Sequence, residues 1–172
     1  GVPIHESTMI NEYLNEVFPT AALMPDNPVD RARARFWVKF EDDVVHPAIR
    51  PATFALMMSP ELAERSDEEL EAMVASHPNK ARAEEYRRTA RQPIDQAKVE
   101  AARQTIITAL GRLERRLSEV PWLGGQTYSL ADIAAAPFID RLEELNLTDL
   151  WKSHGAIRDW IARTKARPAY QI

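Results

Sequence analysis

The sequence predicts an all-α protein, and three observations carry that prediction. Apolar residues recur every three or four positions over about 25 residues ending at Leu117, the period of a buried helix face. Two Ser-x-x-acid boxes, Ser66 to Glu69 and Ser129 to Asp132, and the pair Asn27-Pro28 mark helix starts. Only Val2 to His5 reads as a β-strand, and one strand cannot satisfy its own backbone donors and acceptors.

The elements follow in order. After the strand-like opening, Ser7 is placed as a helix cap, and Met9, Ile10, Tyr13, Leu14 and Val17 give an amphipathic helix. Phe18 to Pro28 holds three prolines without periodicity and reads as a linker, bounded at 19–28. Pro28 then sits near the first position of a long helix marked by Ala32, Phe36, Val38, Phe40, Val44 and Val45. Pro47 and Pro51 are expected to kink or end it, because each removes a donor and clashes one turn back.

Ser59-Pro60 and Ser66 begin two further helices, and Asn79 to Arg91 forms a basic segment that reads as a solvated helix face. Pro93 is expected to open the longest helix, with Ile94, Ala97, Ala101, Ile106, Ala109, Leu110, Leu113 and Leu117 on one stripe. Pro121 and Gly124-Gly125 close it in a tight turn. A helix from Ser129 to about Leu145 precedes a last one over roughly Ala156 to Ala166, with Ile157, Trp160 and Ile161 inward and Pro168 ending it.

A chain of 172 residues with 45% hydrophobic content can bury a real core as one domain. A net charge of −4 and a pI near 5.6 argue against a dedicated nucleic-acid binder. With no cysteine, the chain has neither disulfide, thiolate metal site nor cysteine nucleophile, which is compatible with a reducing cytoplasm. No apolar run approaches the ~20 residues needed to span a bilayer, so no membrane partner is expected.

Two motifs bear on chemistry. In Tyr128 to Ile133, Ser129 and Asp132 form a capping box with Tyr128 and Ile133 at the staple positions, a structural device that recurs in many folds. In His5 to Ser7, the Ser7 amide, its hydroxyl and the helix dipole make an anion site, and Glu6 is placed to accept from an ammonium. Together they suit the zwitterionic end of an amino acid; an ordinary N-cap is the plainer reading. The four histidines lack metal-ligand spacing, so no metal is expected. Asp42 and Asp43 are neighbours about 100° apart on a helix and cannot flank one bond. Trp37, Phe40 and Val44 suit either an apolar pocket or the core.

Taken in order, these pieces resemble the cytosolic glutathione transferases. A strand ending in Glu-Ser, then I-x-x-Y-L and F-P, is similar to the end of that family's thioredoxin-like half. P-x-x-R-A-R-x-R-x-W from Pro28 to Trp37 resembles the start of its all-helical C-terminal domain. Trp122 to Ile133 resembles its buried capping-box motif, and Arg167 to Ala169 its closing turn. The resemblance implies a remnant of the glutathione-binding domain at 1–18, a linker at 19–28 and the all-helical domain at 29–172. It also answers the question of the lone strand, whose three partners would lie upstream.

By that resemblance, Ser7 matches the serine that holds the γ-glutamyl carboxylate of glutathione, and Glu6 the acid that receives its ammonium. Glutathione is the implied co-substrate, and Trp37, Phe40, Glu41, Val44 and Val45 are the expected wall for a hydrophobic electrophile. Ser129 and Asp132 carry over as structural residues. No catalytic residue is expected here, since the activating group lies near the family's first strand, and the chain alone is expected to be inactive. A homodimer of the complete protein and a cytoplasmic location are implied.

The long segment S-D-E-E-L-E, then Y-R-R-x-A-R and Pro93, resembles the bacterial glutathione-dependent β-etherases, which cleave aryl ethers in lignin-derived dimers. D-x-V-H-P from Asp43 to Pro47 also resembles the zeta-class isomerases. The competing reading is a transferase-like module that associates with proteins without catalysis.

Overall fold

The computed structural model describes residues 1–20 and 22–170, so one position of the expected linker and the last two residues lie outside it. Among the described residues no strand forms. Val2 to His5, expected as a strand, takes no regular structure, because no second strand is present to complete a ladder. Ser7 is also displaced from its expected role. Helix α1 spans Ser7–Val17, and its N-cap is Glu6, at φ 67° and ψ 121° without a side-chain cap bond.

Helix α2 covers Pro28–Phe40, where the Asn27 side chain accepts from the amides of Val29 at 2.8 Å and Asp30 at 3.2 Å. The helical path then continues to Glu64. It runs through a π turn at Glu41–Val45, α3 at His46–Thr53, a second π turn at Phe54–Met58 and α4 at Ser59–Glu64. Thus neither Pro47 nor Pro51 ends the helix. The His46 amide donates to Glu41 and the Ser59 amide to Phe54, each five residues back. Both wide turns fall just before a proline, Pro47 and Pro60, where the extra width makes room for a ring that would clash in an α turn.

Helices α5 (Asp67–Ser76) and α6 (Lys80–Ala90) form a hairpin with its own small core of Leu62, Leu70, Val74, Ala83 and Ala90. The expected Ser66–Glu69 capping box starts α5. Arg91 ties the hairpin to the end of α4 through Leu62 O, Arg65 O and the Asp67 carboxylate. Helix α7 spans Gln96–Glu119 and begins three residues later than Pro93, because Asp95 is the cap that accepts from the Lys98 amide. Its buried stripe is Ala102, Ile106, Ala109, Leu110, Leu113 and Leu117. Ile94, Ala97 and Ala101 stay outside it, since the stripe enters α7 one position round from the register expected.

The main core lies where α7 packs against α3 and α9, and α2 packs against α8. Helix α8 is Leu130–Glu144 and α9 is Gly155–Lys165. At their junction Asp132 is fully buried. Its carboxylate accepts from the amides of Leu123 and Ser129, each at 2.9 Å, from Ser129 Oγ at 3.0 Å and from Trp160 Nε1 at 2.8 Å. Burial pushes this carboxyl above the usual range even though all four donors favour its charge. Gly124 is required beside it, because a Cβ there would meet Ser129 Oγ at 2.7 Å.

Asp132→Asn replaces one acceptor oxygen by an amide NH2 that faces two of the four donors. The expected cost is about 3 kcal/mol, the scale of leaving buried donors unpaired. The shift of the urea midpoint measures it, and a change below about 1 kcal/mol would show that the network is dispensable.

Candidate functional site

The N-terminus of α1 opens onto a cleft of about 340 Å³. Ser7 and Thr8 form one lip, and Val38, Glu41, Asp42 and His46 line the opposite side from α2, the first π turn and α3. Leu130, Ile133 and Pro137 of α8, with Met24 of the linker, supply an apolar wall. The Leu130 amide donates to Leu23 O at 2.8 Å, so the buried capping box that sets the start of α8 also places this wall.

Two polar contacts seat α1 at the cleft. Thr8 Oγ1 donates to Asp42 at 2.7 Å, and the Arg35 guanidinium meets Glu12 through two bonds of 2.9 and 2.8 Å. That guanidinium holds the Glu12 carboxyl below its usual range. The first amides of α1 have no acceptor within the helix, and the positive dipole end points the same way. The left-handed φ of Glu6 marks local strain at the same spot.

Glu41 is the most perturbed group in the cleft. Burial, then the neighbouring Asp42 charge and a hydrogen bond shared with Asp42, push its carboxyl up to about 7. Glu41 and Asp42 are adjacent in the first π turn, and both line the cleft. Asp43 faces away and pairs with Lys39 at 2.7 Å.

Of the residues expected from sequence, Ser7 and Glu41 come to this cleft. Glu6 lies exposed at its edge as the cap residue. Trp37, Phe40 and Val45 are buried in the main core, and Val44 packs against it half-buried, so these four do not line the cleft. Ser129 and Asp132 lie beneath it, both fully buried. Sequence reasoning missed Thr8, Val38, Asp42 and His46. The signal for Thr8 is its place in the first turn of α1, and Val38 lies on α2 at a spacing that core and cleft share; Asp42 and His46 depend on the π turn, which leaves no mark in the sequence. Among the described residues no group of three or more histidines or acids gathers as a metal site, and no helix is long and apolar enough to cross a membrane.

The helical bundle that frames this cleft is that of a known domain family. This chain belongs to the glutathione S-transferase C-terminal domain family, which matches residues 45–168. Among its relatives, Protein LigF of Sphingobium sp. strain SYK-6 is 29% identical over 98% of this chain and 68% of LigF. The crystal structure of that protein, a beta-etherase, superposes with a TM-score of 0.85 over 98% of this chain and 72% of that one. Glutathione S-transferase GstB of Escherichia coli K12 is 26% identical over 95% of this chain and 64% of its own length. The chain therefore spans about two thirds of these relatives.

The raised carboxyl of Glu41 sets a pH dependence of stability. The folded state holds this proton more tightly than the unfolded chain, so stability falls as pH rises from about 4.5 to about 7 and stays reduced above that. Glu41→Gln removes the penalty. The variant is expected to match the parent near pH 4 and to gain roughly 1 kcal/mol at pH 8, after discounting for partial exposure. Urea midpoints at the two pH values test this; equal differences at both would refute it.

Proposed function

We propose that this chain is the helical, electrophile-binding part of a glutathione transferase that substitutes glutathione thiolate on an ether-bearing substrate. The observation that carries the reading is the convergence of opposite charges on one cleft. The α1 N-terminus with the Ser7 amide and hydroxyl suits a carboxylate, while Asp42 and Glu41 across from it suit an ammonium. That pattern complements the γ-glutamyl zwitterion of glutathione, with Ser7 as carboxylate donor and Glu6 as an outer acceptor. The family membership and the similarity to LigF support the same reading.

In this scheme the thiolate is supplied outside this chain, and it attacks the carbon that carries the ether oxygen. The C–S bond forms as the C–O bond breaks, and the aryl oxide leaves to take a proton from solvent or a nearby acid. Met24, Val38, Leu130 and Ile133 would hold the apolar body of the substrate and fix its approach. Residues 1–18 would then act as the remainder of the glutathione-binding domain and 29–172 as the helical domain. Pairing with a second copy fits Phe36, which is 48% exposed and stacked with Phe40 beneath the Arg112 guanidinium. A cytoplasmic setting, where glutathione is abundant, belongs to the same proposal.

The competing reading, an association module without catalysis, has no use for a charge-complementary cleft. Isothermal titration with glutathione on the protein as its gene encodes it separates the two. Ser7→Ala is expected to weaken binding by about tenfold, the loss of one charge-assisted hydrogen bond. No detectable binding by the parent protein would favour the association reading.

The pH dependence has a definite sign. A ligand ammonium favours ionised Glu41, so affinity is expected to fall as pH drops below about 7, with protons released on binding. Glu41→Gln should flatten that slope. An affinity independent of pH between about 6 and 8, roughly one unit either side of the group, would remove Glu41 from the site.

A further inference from the structure

The second π turn, Phe54–Met58, carries a sulfur to a cation on another helix. Met57 is 38% exposed, and its Sδ accepts from Arg141 Nη1 at 3.3 Å, a contact between residues 84 apart in sequence. Arg141 stands in the last turn of α8, one turn beyond Pro137, and the same nitrogen pairs with Glu144 at 2.7 Å. The carboxylate thus helps to hold the guanidinium at the sulfur.

A neutral thioether is a weak acceptor and makes poor use of a charged donor. An oxygen added to that sulfur changes the match. Sulfoxide oxygen is polar, and hydrogen bonds from an ionised donor are roughly twice as strong as neutral ones. The other four methionines lack this setting among the described residues. Met24, Met58 and Met73 are half-buried, with Met24 packed on the main core and Met73 on the hairpin core. Met9 is 52% exposed on the apolar face of α1, where no donor meets its sulfur.

We propose that Met57 is a reversible oxidation site, and that Arg141 holds the sulfoxide it forms. The oxidant is a hydroperoxide. The Sδ lone pair attacks its terminal oxygen, the S–O bond forms as the O–O bond breaks, and the terminal oxygen's proton passes to the departing oxygen. Sulfur is oxidised by two electrons, and the hydroperoxide leaves as an alcohol or, from hydrogen peroxide, as water. The unbranched side chain has three rotatable bonds, so the new oxygen can turn onto the guanidinium. In a packed core the same conversion disrupts, because a polar group replaces an apolar one. Here it fastens the second π turn to α8, the helix whose first turns supply Leu130 and Ile133 to the cleft wall. The proposal is independent of the glutathione reading.

The test treats the 172-residue chain with hydrogen peroxide, follows each methionine by peptide mass spectrometry and records melting temperatures. Met57 and Met9 are expected to gain oxygen well before Met24, Met58 and Met73, and methionine sulfoxide reductases should restore the original mass. Met57→Gln, with a fixed amide oxygen, is compared with Met57→Leu, each made with Arg141 present and with Arg141→Gln. With Arg141 present, the glutamine variant's melting temperature relative to the leucine variant's should be about 2 °C higher than it is without it. Should Arg141→Gln fail to fold, the pair with Arg141 present decides: Met57→Gln must melt no lower than Met57→Leu. Oxidation of Met57 no faster than that of the half-buried methionines, a sulfoxide that the reductases cannot reverse, or the same difference with and without Arg141 would each overturn the proposal.

Discussion

One buried carboxylate organises this protein. Asp132 gathers the turn at Leu123, the start of α8 at Ser129 and the Trp160 indole of α9 onto two oxygens. A neutral amide cannot accept from all four donors, and an apolar residue would leave each of them unpaired. The energetic argument therefore concerns specificity as much as stability: only one arrangement of the three segments satisfies the anion. The cleft inherits that definition, because Leu130 and Ile133 follow directly from the capped start of α8.

The second constraint is the proline pair Pro47 and Pro60 within a continuous helical path from Pro28 to Glu64. Judged from sequence, a proline in a helix is a break, because the rule counts one lost donor and one clash in an α turn. The fold evades the rule by widening the turn ahead of Pro47 and of Pro60, while Pro51 sits inside α3. That adjustment depends on what packs around the helix, in this case α7 and α8 against α3, and so has no local signature. The expectation that Pro47 or Pro51 ends the helix fails for this reason.

Other parts were legible because their causes are local. Asn27, Ser66 and Ser129 cap the helices expected of them, and Ile157, Trp160 and Ile161 are buried as their spacing required. The start of α7 departs from the one Pro93 signals because the cap is the less conspicuous Asp95. The wall residues divide along the same line. Trp37, Phe40 and Val45 are apolar at helical spacing, which core and pocket share, and burial assigned them to the core. Asp42 and Asp43 do diverge, as their spacing requires: Asp43 pairs with Lys39, while Asp42 lines the cleft and accepts from Thr8.

Helix α1 shows how the site's rigidity depends on more than its own contacts. It has no buried residue, and Met9, Ile10, Tyr13, Leu14 and Val17 present an exposed apolar face. What seats it on the bundle is polar: Thr8 to Asp42, Glu12 to Arg35, and Asn15, which accepts from the Leu23 amide. Contacts of that kind contribute on the order of 0–1 kcal/mol each, because solvent and side-chain entropy offset most of the attraction. The Ser7 lip of the cleft is therefore weakly held by the helical bundle, whereas the Leu130 lip is fixed by the Asp132 network. An apolar cover on the outer face of α1 would restrict the helix far more strongly than its polar contacts do, at about 25 cal/mol for each Å² buried. Ligand affinity at Ser7 and coverage of α1 are thus thermodynamically linked: whatever covers that face also sets the position of the carboxylate donor.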